Sequence, residues 1–263
     1  MKHISKIIDF STWIGNWPFI CLRYKELNDL KQKLQSLHVV KAFVSPIEGI
    51  LEQDPARANR KLLQDIDGSF FSPVPIIDLS YANWKETFES VMKDSRVVMV
   101  KVIPNYHMYN AAAYDNLARL AELAIKSNII ICIQMRIEDP RGQYPLMKVC
   151  DVDKEQAAII ISMFPEQTFI LNNLYINEIA QFLKAFDNVY VDMSSIESLN
   201  VLKALYNEFT LDRFLFSSHC AFYYPEANLY KLKFSELNIN EIDKVAFKNA
   251  EQIFERLKLS AEN

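Results

Sequence analysis

The sequence contains little glycine and no long hydrophobic run. Only four of its 263 residues are glycine, and no apolar stretch approaches the roughly 20 residues that a membrane-spanning helix needs. The N-terminal segment MKHISKIIDF lacks the long apolar region of a signal peptide. We therefore expect a soluble, cytoplasmic protein with no membrane partner.

Cysteine pairs, basic tracts and nucleotide motifs are also missing. The four cysteines are widely spaced without a CxxC pair, which favours free thiols over a disulfide framework. The net charge is −4 and charges of both signs are interspersed, so an extended nucleic-acid surface is not expected. No GxGxxG or GxxxxGK[ST] motif supports a nucleotide cofactor. These absences predict neither a nucleic-acid partner nor a bound cofactor.

Short apolar runs recur along the chain and alternate with segments of helical patterning. The eight runs cover residues 7–10, 39–44, 74–77, 97–103, 129–133, 168–171, 189–192 and 213–216. They are apolar without alternation, as in parallel strands buried on both faces. Residues 116–127 and 176–186 carry apolar positions at helical spacing, and the last helix is predicted over 241–257. This pattern predicts a single-domain α/β protein over 1–263, a (β/α)8 TIM barrel, with a doubly wound open sheet as the alternative.

Polar and aromatic side chains follow the predicted strands, where the active site of a barrel enzyme lies. These strand-end candidates are Ser11, Trp13, Lys101, Gln134, Arg136, Arg141, Asn173, Asp192 and His219. Trp17 and the aromatic residues Tyr106, Phe222, Tyr223 and Tyr224 fall on the loops of the same rim. An aromatic mouth suits a small organic ligand, although a packed lid or a homo-oligomer contact would give the same composition.

Six segments, taken in order, resemble the amidohydrolase superfamily, in particular its amidohydrolase-2-like branch. Residues 8–15 (IDFSTWIG) resemble its opening IDxHxHxG, and residues 101–104 (KVIP) resemble its KxHP. Further similarity lies in residues 131–134, 164–173, 188–192 (NVYVD) and 212–219 (DRFLFSSH). Residues 14–19, 136–141 and 218–222 also resemble a little-characterised amidohydrolase-related group. The resemblance implies a barrel enzyme of a kind that usually activates water with metal.

The chain departs from that family at its metal-ligand positions. The five positions hold Ser11, Trp13, Gln134, Asn173 and His219, a set that cannot form an ordinary zinc site. Because some members of the superfamily act without metal, this departure does not exclude catalysis. We expect no metal at the site, with a metal-dependent hydrolase using unusual ligands as a remaining alternative.

Each candidate has a catalytic or binding interpretation and a structural one. His219 is predicted as a general base, or as a structural histidine bonded to a neighbour. Arg136 and Arg141 are predicted to clamp a carboxylate or an oxyanion, or to be neutralised by Glu138 and Asp139.

Lys101 is predicted to bind an anion or act as a Schiff-base nucleophile, or to pair with Asp78. Gln134 and Asn173 are predicted to orient a polar ligand, or to bond each other. Substrate contacts are also assigned to Ser11, Trp13, Trp17 and Asp192, whereas His107 is expected on an exposed loop.

Two classes of function remain open. The first is a metal-independent hydrolase or lyase for a small carboxylated or lactone-like substrate, with His219 as acid or base and the arginines as anion clamp. The second is a non-catalytic binding or partner protein that retains the barrel.

Overall fold

Seven parallel strands form most of the barrel wall in the computed structural model, which describes residues 2–261. They are β1 (Ile7–Ile14), β2 (Val39–Pro46), β3 (Phe71–Pro73), β4 (Met99–Val102), β5 (Ile130–Gln134), β6 (Phe169–Asn172) and β7 (Val189–Val191). β1 to β3 hydrogen-bond in sequence order, as do β4 to β7. Because all these pairings are parallel, the C-terminal ends of the strands meet at one rim.

A segment with isolated strand bridges, residues 214–220, occupies the eighth position and closes the ring. The Leu215 amide donates to the Val191 carbonyl at 2.9 Å, and the Phe10 amide donates to the Phe216 carbonyl at 2.9 Å. A parallel bridge between β4 and the chain just after β3 joins the two groups of strands. These connections close the sheet on itself, as the predicted (β/α)8 barrel requires and an open sheet does not.

Helices on the outside of the wall connect the strands. They are α1 (Leu27–Gln35), α2 (Ala56–Asp65), α3 (Trp84–Val91), α4 (Ala111–Ser127), α5 (Lys154–Met163), α6 (Ile176–Ala185), α7 (Val201–Glu208), α8 (Pro225–Lys233), α9 (Ile239–Asp243) and α10 (Asn249–Ala261). Asn110 caps α4 by accepting from the Ala113 amide, and left-handed Asn128 ends it. Of the helices within residues 2–261, none has the length and hydrophobicity to cross a bilayer.

Two predicted strands, the third and the eighth, have different boundaries in the structure. The third strand has its continuous ladder at Phe71–Pro73, before the predicted 74–77. Residues 74–77 prolong it with single contacts, from the Val74 amide to the Val44 carbonyl and between Ile76 and Lys101, because Pro75 has no amide hydrogen to continue the ladder. Arg213, predicted to begin the eighth strand, lies in a 3₁₀ turn (Leu211–Arg213).

The predicted last helix is interrupted. A π-helical turn, Lys244–Lys248, separates α9 from α10. The Val245 carbonyl in this turn accepts from the Phe216 amide at 3.0 Å, so the irregular turn also anchors the segment that closes the barrel.

A second apolar cluster covers the rim at the C-terminal ends of the strands. We refer to it as the cap. Its fully buried members are Trp13, Trp17, Leu22, Ile47, Ile50, Ile76, Ile103 and Ile137, and Phe19, Tyr106, Ala221 and Phe222 pack against them. The main core fills the barrel and the space under the helices. The mouth of the barrel is therefore closed by side chains in this structure.

Asp9 joins the first strand to the segment that closes the ring. Its Oδ1 accepts from the amides of Ser11 at 3.2 Å and Ser218 at 3.0 Å, whereas its buried Oδ2 has no hydrogen-bond partner. Burial of the carboxyl raises the pKa of Asp9 to about 7, against the opposing hydrogen bonds from Ser218 and Ser11.

We expect Asp9→Asn to change how stability depends on pH. A carboxyl whose folded pKa is raised from near 4 to about 7 stabilises the fold when protonated, and this stabilisation is lost as pH rises through about 7. The wild-type free energy of unfolding should fall between pH 4 and 7.5 relative to the variant, by up to roughly 4 kcal/mol, since a tenfold difference in proton affinity is worth about 1.4 kcal/mol. Urea unfolding at three pH values measures this difference, and parallel pH curves for the two proteins would contradict it.

Candidate functional site

Seven of the sequence-predicted residues meet inside the closed mouth of the barrel. They are Ser11, Trp13, Lys101, Gln134, Asn173, Asp192 and His219, and none is more than 1% exposed. They come from five strands and the closing segment, and their contacts form one connected group. These residues were predicted to lie at the C-terminal ends of the strands, where barrel enzymes carry their active sites, and the structure brings them together there.

Lys101 is the buried cation of this group. Its ammonium donates to Ser11 Oγ at 3.2 Å and to Gln134 Oε1 at 3.1 Å, and it lies 4.1 Å from the centre of the Trp13 ring. Within residues 2–261 no carboxylate lies within ion-pair distance of this ammonium, so the predicted pair with Asp78 is not formed. Burial lowers the pKa of Lys101, while the more distant Asp192 and Asp9 favour the charged form.

Gln134, Asn173 and Asp192 continue the group across the barrel. Gln134 Nε2 donates to Asn173 Oδ1 at 2.5 Å and to the Arg136 carbonyl at 2.7 Å. The Asn173 amide donates to Asp192 Oδ1 at 3.1 Å, and Asn173 Nδ2 donates to Ser195 Oγ at 3.0 Å. The two carboxamides therefore bond each other, as the structural interpretation of the sequence proposed.

His219 uses both ring nitrogens within the protein. Its Nε2 lies 2.7 Å from the Ile137 carbonyl and must donate to it, which leaves Nδ1 to accept from Trp13 Nε1 at 3.2 Å. Burial lowers the pKa of His219 to about 3, with the charge of Lys101 acting in the same direction. The imidazole is therefore neutral, and in the closed structure its lone pair is occupied by the Trp13 indole.

Two residues of the group have unusual backbone conformations. Asn173 and His219 both lie in the left-handed region, with φ of 62° and 53°. Non-glycine residues visit this region rarely, and such conformations cost on the order of 1–3 kcal/mol where the surroundings enforce them. The strand ends at positions 173 and 219 are thus held in shapes set by the fold rather than by local preference.

The two arginines do not form the predicted anion clamp. Arg136 is buried and donates to both oxygens of Glu178 at 2.8 Å and to Asp151 at 3.0–3.2 Å, while its guanidinium stacks 3.8 Å from the Tyr175 ring. Although burial opposes the charge, these carboxylates hold the pKa of Arg136 above its usual value. Glu138 and Asp139, the acids expected to neutralise it, are not its partners.

Arg141 lies apart from the buried group. Its side chain is 79% exposed and pairs with Asp139 at 2.6 Å and Glu197 at 3.6 Å. The predicted catalytic role for Arg136 and Arg141 therefore has no support in their positions, because one is saturated by acids and the other faces solvent.

Trp17 seals the group from solvent. Its indole nitrogen donates to Glu138 Oε1 at 3.1 Å, and its ring packs edge-on against Phe222 and Tyr106, with centroids 5.2 and 5.9 Å apart. Burial raises the pKa of Glu138, against the hydrogen bonds that it receives from Trp17 and Tyr106. Of the aromatic residues predicted at the mouth, Trp13, Trp17, Tyr106 and Phe222 form a packed lid, whereas Tyr224 is exposed.

Sequence reasoning missed several partners and misplaced one histidine. The carboxyls of Asp9, Asp151 and Glu178 were not assigned, since pairing between distant segments leaves no local signal in a single sequence. His107, expected on an exposed loop, is buried, with Nε2 3.2 Å from the Gly49 carbonyl and Nδ1 3.6 Å from Asp78.

The residues at the family's ligand positions do not fit a divalent metal. The Trp13 indole offers no lone pair, and the His219 imidazole has no free nitrogen. The Lys101 ammonium, 3.2 Å from Ser11 Oγ, would repel a dication there. Across residues 2–261, no group of three or more His, Cys, Asp or Glu side chains is arranged to hold a metal ion.

Comparisons with known proteins find similarity in structure alone. No family model matches the sequence, and no curated protein matches it. Among solved structures, 2,6-dihydroxybenzoate decarboxylase from Rhizobium superimposes with a TM-score of 0.70 at 12% identity, covering 96% of this chain and 99% of that chain.

Two further solved structures have a similar fold over nearly the whole chain. An uncharacterised TIM-barrel protein from Bordetella bronchiseptica gives a TM-score of 0.69 at 14% identity, covering 96% of this chain and 99% of that one. A putative amidohydrolase from Staphylococcus aureus gives 0.67 at 13% identity, covering 94% and 99%. At these identities the likeness establishes architecture, and it agrees with the resemblance found in the sequence motifs. The chain thus has a TIM-barrel fold similar to those of these solved structures.

Proposed function

We propose that this protein is a metal-independent hydrolase or lyase acting on a small carboxylated or lactone-like substrate at the mouth of the barrel. The observation that carries the proposal is the Lys101 ammonium, which is buried and contacts only neutral groups: a hydroxyl, a carboxamide oxygen and an indole ring.

A buried cation without an ion-pair partner is expensive to maintain in a protein interior. A ligand carboxylate would supply the missing charge, taking the place of Ser11 Oγ or Gln134 Oε1 as acceptor. The carboxamides of Gln134 and Asn173 would then be free to orient the rest of the ligand. Some fold neighbours are decarboxylases of hydroxylated benzoates, which agrees with a carboxylate substrate.

Access requires the cap to open. Trp17 and Phe222 cover the buried group, so a ligand can enter only when the loops that carry them move. Gly15, two residues before Trp17, adopts a φ of +119°, a conformation that glycine reaches without strain. Displacement of the Trp13 indole would release the lone pair of His219 Nδ1.

In a hydrolytic reaction Lys101 would stabilise negative charge developing on the substrate carbonyl oxygen. His219 Nδ1, once released from Trp13, would accept a proton from the attacking water and return it to the leaving oxygen. In a lyase reaction Lys101 would hold the carboxylate, and His219 would be the proton carrier. Arg136 has a positioning role. It donates hydrogen bonds to the Asn173 carbonyl and to the carboxylate of Glu178 in α6, and so holds both in place.

The second candidate is a non-catalytic protein that binds the same class of ligand. It is favoured by the saturation of His219, whose two nitrogens are both engaged. The two candidates share the carboxylate site at Lys101 and differ in whether turnover occurs.

We expect Lys101→Met to fold with unchanged or higher thermal stability, because it removes a buried charge, and to weaken benzoate binding at least tenfold. Isothermal titration calorimetry of benzoate measures the binding. The control is Lys85→Met, which removes a lysine that also lies near a tryptophan ring but is exposed. Equal benzoate affinity in wild type and Lys101→Met would contradict the carboxylate site.

We expect His219→Asn to abolish turnover while benzoate binding persists, since the imidazole carries protons and Lys101 holds the ligand. Turnover is measured by product analysis on a panel of hydroxybenzoates and small lactones. His3→Asn, which changes an exposed histidine outside the buried group, is the control. Retained turnover in His219→Asn would refute its role as proton carrier, and a wild type that binds benzoate but turns over no member of the panel would favour the non-catalytic candidate.

A further inference from the structure

A separate open pocket lies on the rim of the barrel, between the chain after β7 and the start of α8. Its volume is about 570 Å³, within the range of small-molecule sites. Its aromatic lining consists of Tyr175, Phe222, Tyr223, Tyr224, Tyr230 and Phe234. This pocket, which we refer to as the rim pocket, contains neither Lys101 nor Gln134 among its walls.

The rim pocket exposes apolar side chains that a folded protein normally buries. Leu199 is 97% exposed, Tyr224 74%, Phe234 59% and Tyr230 48%. Apolar groups clustered around a concave surface mark a site where a ligand removes them from water. Their arrangement around a cavity favours a small molecule that is flat and apolar over most of its surface.

The charged groups of the rim pocket already have hydrogen-bond or ion-pair partners. Lys231 is the cation in its wall, and its ammonium donates to the carbonyls of Met193 and Ser194 at 2.8 and 3.1 Å and to Asn228 Oδ1 at 2.7 Å. These three bonds use all three of its hydrogens, so none remains for an anionic ligand.

The acids of the rim pocket are compensated as well. Asp139 and Glu197 both pair with Arg141, at 2.6 and 3.6 Å. An organic cation would therefore compete with an existing guanidinium for these carboxylates. Without a free cation or a free anion, the pocket matches an uncharged ligand.

The floor of the rim pocket is rigidly held. The Tyr175 ring is stacked against the Arg136 guanidinium at 3.8 Å, and the Tyr223 ring packs against His219 with centroids 4.6 Å apart. Both rings are thus fixed from behind, while Tyr224 and Phe234 at the rim remain accessible. A preformed aromatic floor lowers the entropic cost of binding a flat ring.

We propose that the rim pocket binds an uncharged, hydroxyl-bearing aromatic molecule, with its ring among the tyrosine and phenylalanine rings and its hydroxyl near the serines of the chain after β7. Ser198 is in the wall and offers a hydrogen-bonding hydroxyl, next to Ser195, whose Oγ already accepts from Asn173 Nδ2. The inference does not depend on carboxylate binding at Lys101.

The test compares three probes of one shape: 2-naphthol, 2-naphthoate and 2-naphthylmethylammonium, titrated by calorimetry at pH 7. We expect 2-naphthol to bind at least tenfold more tightly than either ion. The naphthoate titration is repeated on Lys101→Met, so that binding at the buried site does not contribute. Tighter binding of either ion to the rim pocket would overturn the assignment to an uncharged ligand.

The location of the 2-naphthol site is tested with two variants of the rim pocket, Tyr224→Ala and Phe234→Ala. Each is expected to weaken 2-naphthol binding at least fivefold. Tyr206→Ala, which removes an exposed tyrosine outside the pocket, should leave it unchanged, as should Lys101→Met. Unaltered affinity in both rim variants would overturn the proposed location. Absence of 2-naphthol binding, with self-association that Phe234→Ala abolishes, would instead assign the rim to a contact between copies of this chain.

Discussion

The buried ammonium of Lys101 is the constraint on which the polar interior of this barrel depends. It lies between Ser11, Gln134 and the face of Trp13, on a strand that is otherwise apolar. Because a charge inside a protein must be solvated by the protein itself, its neighbours must present oxygen lone pairs or an aromatic face toward it. Ser11, Gln134 and Trp13 meet this requirement with a hydroxyl, a carboxamide oxygen and an indole face, so the three side chains act together around one charge.

The buried carboxyl groups of Asp192 and Asp9 interact electrostatically with the Lys101 ammonium. Asp192 is held by amide and hydroxyl donors, from Asn172, Asn173 and Ser194, and it stabilises the Lys101 ammonium from a distance. Asp9 has one oxygen without a hydrogen-bond partner, and burial raises its pKa to about 7. The neutral imidazole of His219 adds no further charge to the closed interior.

The sequence predicted the barrel and the meeting of the strand-end residues because both follow from local pattern. Apolar runs at regular spacing imply parallel strands, and parallel strands bring residues such as Ser11, Gln134 and His219 to one rim. Partners that depend on long-range packing were beyond this reasoning: nothing near Arg136 in the sequence indicates that Glu178, 42 residues on, would saturate it. The closed state of the mouth was also not predictable, since an aromatic composition is shared by an open pocket and a packed lid.

The buried site at Lys101 and the rim pocket also differ in the surroundings of their charged side chains. At Lys101 the cation is buried, contacts neutral partners and is covered by the cap, so an anion is the ligand that would lower its energy. At the rim pocket Lys231 donates three hydrogen bonds, where Lys101 donates two, and Asp139 pairs with Arg141. What the rim pocket leaves exposed is apolar surface. The boundary between them is formed by Tyr223, whose ring lines the pocket on one side and packs against His219 on the other. One tyrosine ring thus contacts both the buried imidazole and the open pocket, and it separates the polar interior from the apolar rim.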